Sequence, residues 1–229
     1  MAYGAMGPQP HQIGNQAYFR SGAVGAKLIA RIPLFAGTTN GVVPDGANWL
    51  SSRAVGAGGG ANPSGNPSGS GGAFAREDRS CTPGQAYTAV VGAGVNAGNG
   101  GNSTLTLAGI LILLAEGGKT GQTPGLAANC VGTIKASGGA GNFGGNGAAG
   151  TNGGSGGSGP PGGAGGGSAG ERNVADALML GGLGADCRNG RGGFPGGGAQ
   201  FFYSNSGGDT STAAGGDGLM FLEFWTAKP

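Results

Sequence analysis

The chain has 229 residues, of which 60 are glycine, and a formal net charge of +2 with only 10% charged side chains. Average glycine usage is about 7%, so the composition is extreme. It offers no basic patch for nucleic acid, no acidic solvating tail, and not the high net charge of an ordinary disordered chain.

The first residues, MAYGAMGPQPHQIG, have no basic region followed by an apolar core, so no secretory signal is expected there. Tyr18-Phe19-Arg20 and residues 26–35 read as strands. In the second, Leu28, Ala30, Ile32 and Leu34 alternate with Lys27, Ile29 and Arg31. Residues 1–40 are therefore expected to form an N-terminal β or attachment segment, and residues 41–229 a glycine-rich domain.

Within that domain, strands are expected over residues 41–137. Pro44-Asp45-Gly46 is a turn, followed by a strand from Trp49 to Val55. Residues 73–80, AFAREDRS, form a strand or exposed loop in which Arg76, Glu77, Asp78 and Arg79 are solvated. Thr82-Pro83-Gly84-Gln85 is a second turn, and residues 86–91 are a strand. Leu105 to Leu114 is an apolar run of strand length, too short for a membrane span of about 20 residues.

From Gly138, glycine recurs at every third position: Gly138, Gly141, Gly144, Gly147, Gly150, Gly153, Gly156, Gly159, Gly162 and Gly165. That period is neither helical nor that of a strand. It is the period of an extended left-handed helix rising about 3.1 Å per residue, which makes no internal hydrogen bonds. Only one triplet, GPP, suits a collagen rod, so a folded-back bundle is expected over residues 138–200. A closing strand is expected over residues 216–226. The fold class is mostly β and irregular. Small antiparallel β elements bracket a bundle of polyglycine-II-type helices, with almost no α-helix.

No catalytic constellation is apparent. His11 is the only histidine, so a Ser-His-Asp triad is not expected. The ten carboxylates are scattered. Cys81, Cys130 and Cys187 are widely spaced with no CxxC pair, which supports neither a zinc site nor a disulfide framework. No cofactor, metal or enzymatic activity is expected. Aromatic side chains interrupting the glycine region, namely Phe143, Phe194, Phe201, Phe202 and Tyr203, are the candidates for receptor or partner contact.

The order of these pieces resembles the glycine-rich domain of bacteriophage tail-fibre and tail-tip proteins. Val43-Pro44-Asp45-Gly46 opens the pattern and runs to Gly58-Gly59-Gly60. The element Thr82-Pro83-Gly84-Gln85-Ala86-Tyr87-Thr88 follows and runs to Gly92-Ala93-Gly94. Gly100-Gly101-Asn102-Ser103 comes next, then the triplets, then Gly216-Asp217-Gly218 with its strand. The likeness covers about residues 40–229. It implies a virion component, made in the host cytoplasm, that is a tail-fibre or tail-tip subunit involved in host attachment. It also implies other virion proteins as partners through the N-terminal segment. A homotrimer is expected, with a host polysaccharide or outer-membrane protein as receptor, and neither nucleic-acid binding nor membrane insertion. The alternatives are a virion scaffold without recognition and, more remotely, an ice-binding polyglycine protein.

Overall fold

The computed structural model describes residues 25–60, 69–121, 123–140, 194–199, 202–203, 210–211 and 214–229. Their strands are β1 (Leu28–Leu34), β2 (Gly37–Val42), β3 (Trp49–Val55), β4 (Phe74–Ser80), β5 (Ala86–Val91), β6 (Ser103–Leu107), β7 (Ile110–Ala115), β8 (Ile134–Ala136), β9 (Phe202–Tyr203), β10 (Thr210–Ser211) and β11 (Leu219–Trp225). Two antiparallel sheets result: a five-stranded one, ordered β1-β11-β3-β4-β8, and a four-stranded one, ordered β2-β5-β6-β7. A small ribbon joins β9 and β10. One short 3-10 turn, Ala127–Asn129, is the helical content of the described residues. The mostly-β expectation therefore holds.

Period-two patterning decides which side chains meet. Tyr87, Ala89 and Val91 of β5, with Leu105 and Leu107 of β6, share one apolar core with Leu50, Ala54, Met220, Leu222 and Phe224 of the five-stranded sheet. The Tyr87 and Phe224 rings lie 5.9 Å apart across the two sheets. The strand β11 reads LMFLEFW because it lies between β1 and β3 and is largely buried on both faces.

Two expectations change in detail. The apolar run 105–114 is not one strand but the β6–β7 hairpin. Ala108 (φ 49°) and Gly109 (φ 79°) supply its two-residue turn, whose backbone twist suits antiparallel neighbours. An Ala-Gly pair carries no strong turn signal, so the break was hidden in the apolar run. Within the segment 1–40 assigned to attachment lie β1 and most of β2, which add one strand to each sheet. β1 pairs with β11 and β2 with β5.

Glycine-rich stretches adjoin the strands, and in two of them, 56–60 and 69–73, the backbone bonding follows a period of three. Gly56 N–H donates to Ala73 O and Gly59 N–H to Ser70 O. Ala57 donates to Gly101 O and Gly60 to Gly98 O. Gly58, between them, donates to a third neighbour, Gly216 O. Residues 69–73 repeat the pattern. Gly69 and Gly72 donate to Ala199 O and Gly196 O, and Ser70 and Ala73 donate to Lys119 O and Glu116 O. Gly71 turns to Gly139 O. Successive N–H groups thus point to different neighbours and return after three residues. Such packing requires close backbone approach: a Cβ on Gly58 would overlap the Gly197 carbonyl, and one on Gly69 the Gly59 carbonyl.

Of the ten triplet glycines, Gly138 is described, and its N–H donates to Gly125 O. Gly141 to Gly165 lie outside the described residues. The period-three bonding is observed instead in the shorter glycine stretches on either side of the strands.

Candidate functional surface

The Pro44-Asp45-Gly46 and Thr82-Pro83-Gly84-Gln85 turns are physically joined. Val43 N–H donates to Gln85 O, and Gly84 N–H donates to Val43 O, both at 2.9 Å. Gly46 and Gly84 each adopt φ 79°, the left-handed conformation their turns demand. Thr82 N–H is closed by Gln85 Oε1 at 2.9 Å. At the other end of β5, Gly94 N–H donates to Asp217 Oδ1 at 2.8 Å and Gly218 N–H to Gly92 O at 2.9 Å. The buried Ser103 hydroxyl accepts from Gly92 N–H at 3.1 Å and donates to Val55 O at 2.8 Å. These bonds lock the VPDG, TPGQ, GGNS and GDG elements into one frame.

Among the five expected contact aromatics, Phe143 and Phe201 lie outside the described residues. Phe202 and Tyr203 form β9. Phe194 is exposed, and its ring lies 6.1 Å from that of Phe35, also exposed, at the crossover between β1 and β2. Phe35 was not singled out in the sequence. It sits more than 150 residues from Phe194, so no local pattern could pair them.

The outer face of the five-stranded sheet carries a charged array. Strand register places Arg31, Glu223, Ser51 and Asp78 in one row across β1, β11, β3 and β4. The adjacent row is Pro33, Phe221, Arg53, Arg76 and Ile134. Arg31 Nε and Arg53 NH2 both donate to Glu223 Oε1, at 2.7 and 2.8 Å. Arg76 NH2 meets Asp78 Oδ2 at 2.7 Å, and the Ser51 hydroxyl donates to Asp78 Oδ1 at 2.6 Å. The Arg53 guanidinium lies over the Phe221 ring, 5.6 Å from its centroid. Arg76 and Asp78 are therefore not a simple solvated loop. Their i, i+2 spacing on a strand was the available signal that they share a face.

Glu116 occupies a different environment, at the exit of β7. Burial raises its pKa, but the Leu126 N–H, the Lys119 ammonium and the Asn129 amide together hold it below the ordinary carboxylate value. Those donors lie 2.7, 2.7 and 3.0 Å from its oxygens. Glu116 thus ties the loop carrying the 3-10 turn to the glycine segments. The Cys81 and Cys130 thiols are both buried, and burial pushes both pKa values up. They are poor nucleophiles as held. Cys187 and His11 lie outside the described residues.

Among the described residues, no group of His, Cys, Asp or Glu has the arrangement of a metal site. No described helix is long and apolar enough to cross a membrane. The carboxylates Asp78 and Glu223 are both engaged by arginine. No family model and no curated protein matches this chain.

Proposed function

We propose that this chain is a structural protein of a bacteriophage virion, a tail-fibre or tail-tip subunit that contacts the host surface. The supporting observation is the closure of the frame. The sequence elements of the resemblance, far apart in the chain, bond directly to one another through Val43–Gln85, Gly92–Gly218 and Gly94–Asp217.

In this reading, the glycine stretches are the described part of a polyglycine-II bundle. Strands β3, β5 and β7 hand their backbones to segments bonded to several neighbours. Each net hydrogen bond contributes about 0.5–1.5 kcal/mol, which offsets the extra ordering cost of about 0.5–1 kcal/mol per glycine. Rigidity of this kind suits a part that presents a contact surface at the end of a fibre.

The subunit works as a homotrimer, joined to other virion proteins through its N-terminal residues. Light scattering should then give about three times the 21.6 kDa chain mass.

Two experiments test the function. Gold-labelled antibody against the chain should decorate intact particles at the tail, whereas labelling of the head favours the scaffold alternative. Purified protein should block phage adsorption to the host. Failure to label any particle overturns the proposal.

A further inference from the structure

We propose that the outer face of the four-stranded sheet is the surface through which copies of this chain associate. The inference rests on the homotrimer proposed above and names the surface that holds it together.

Strand register defines the face. Thr38, Val90, Thr104, Leu114 and Val131 form one row across β2, β5, β6, β7 and the segment bridged to β7. Asn40, Thr88, Thr106 and Leu111 form the next row, and Val42 stands beside Ala86 at its end. Their alternate neighbours, among them Tyr87, Ala89, Val91 and Leu105, point the other way and are buried in the core between the sheets.

None of these outward side chains is charged. Val42, Leu111 and Val131 are exposed at 60%, 42% and 38%. The Thr88 hydroxyl donates to Asn40 Oδ1 at 2.8 Å, and the Thr106 hydroxyl donates to the Thr88 carbonyl at 3.3 Å. Both donors are satisfied within the sheet, so covering them leaves neither unpaired. The edge of the face is also unguarded. β2 is the last strand of its sheet among the described residues, and GTTNGV carries no charge or proline and pairs with β5 without a bulge. An edge kept for solvent is ordinarily blunted by one of those devices.

The composition of the face selects a second copy as its occupant. Closed symmetry brings equivalent residues of each copy together near the axis, where any charge would face its own like. A neutral face meets itself without that penalty, and interfaces between identical chains are the more apolar ones. Recognition of a different protein draws on Trp, Tyr and Arg anchors and on complementary charge. The two rows offer none of these. The outer face of the five-stranded sheet, which carries Arg31, Arg53, Arg76, Asp78 and Glu223, would bring like charges to a shared axis.

The test measures the mass of the full-length protein by light scattering. The wild type should give about three times 21.6 kDa and keep that mass as salt is raised, because no charge is buried in the contact. Val42→Lys and Leu111→Lys should each raise the concentration needed for assembly at least about tenfold, since each sets lysines against their own copies in a dry contact. Ser80→Lys, at the exposed end of β4 in the other sheet, should assemble like the wild type. Melting temperatures report whether each variant folds. Val42 is the more exposed position, so Val42→Lys carries the test if Leu111→Lys does not fold.

A photo-crosslinking residue placed at position 111 should join chain to chain, in purified protein and in intact particles. A crosslink to a different virion protein or to host polysaccharide instead overturns the inference, as does dissociation of the wild type by salt. An assembled wild type whose mass folded Val42→Lys reproduces overturns this surface alone and leaves the homotrimer standing. A wild type of single-chain mass overturns both. Particle labelling is independent of all these outcomes, so the virion reading stands or falls separately.

Discussion

Asp217 accepts a hydrogen bond from the Gly94 backbone N–H at 2.8 Å, across 123 residues of chain. Asp217 also holds the neighbouring segments through its backbone, because its carbonyl accepts from Gly196 N–H at 2.7 Å. One residue therefore joins the exit of β5, the entry to β11 and the 194–199 segment. Asp217→Ala should lower stability by about 1–3 kcal/mol, the cost of leaving Gly94 N–H without its charged acceptor. Asp217→Asn retains an oxygen acceptor and should lose less. Urea unfolding followed by tryptophan fluorescence measures both, and equal losses would show that the oxygen is not what matters.

The glycine segments predict a sharp contrast between two alanine substitutions. In Gly58→Ala the new methyl meets the Gly197 carbonyl, which is rigid backbone. The cost should be about 3 kcal/mol or more, enough to prevent recovery of folded protein. Gly84→Ala meets nothing within 4 Å and suffers only from its φ of 79°, costing about 1–2 kcal/mol. Soluble yield and melting temperature distinguish the two.

Glu116 gives the fold a defined acid response. Its folded pKa lies below the ordinary value of 4.5, because three donors outweigh burial. A group depressed in this way contributes stability that is fully present above its unfolded pKa. That contribution is lost as pH falls through the lower, folded value. Glu116→Gln should therefore cost about 1–3 kcal/mol near neutral pH. It should also flatten the loss of stability below about pH 4.5. Urea midpoints measured from neutral to acid pH report both effects, and parallel curves for the two proteins would rule out this role.

The β6–β7 turn holds a non-glycine residue, Ala108, at φ 49°. Asparagine tolerates this conformation far better than alanine. Ala108→Asn should raise stability by about 0.5–1 kcal/mol, seen as a higher melting temperature. A lower one would mean that the turn is not limiting.

Cys81 and Cys130 should resist a thiol reagent in the native protein and react on unfolding, since both are buried with raised pKa values. Time-resolved labelling with mass spectrometry assigns each site. Rapid native labelling of either would place it at the surface.

Much of the β framework was legible because its signals are local. Alternation along residues 28–34 and 86–91 reports a half-buried strand, and Pro44-Asp45-Gly46 and Thr82-Pro83-Gly84-Gln85 report turns through their own backbone preferences. The apolar run 105–114 concealed a hairpin because its turn residues, Ala108 and Gly109, do not advertise one. The glycine period signalled bonding to neighbours without saying which neighbours. By itself, the sequence determined most of the extending segments (though not β2), where several of them turn, and that glycine faces other backbone. Only the tertiary structure decided that Arg53 stands opposite Arg76, that Phe35 meets Phe194, and that Gly94 rests on Asp217. Those pairings depend on strand order and register, which are set by burying one shared core among distant segments and are not encoded in any short stretch of chain.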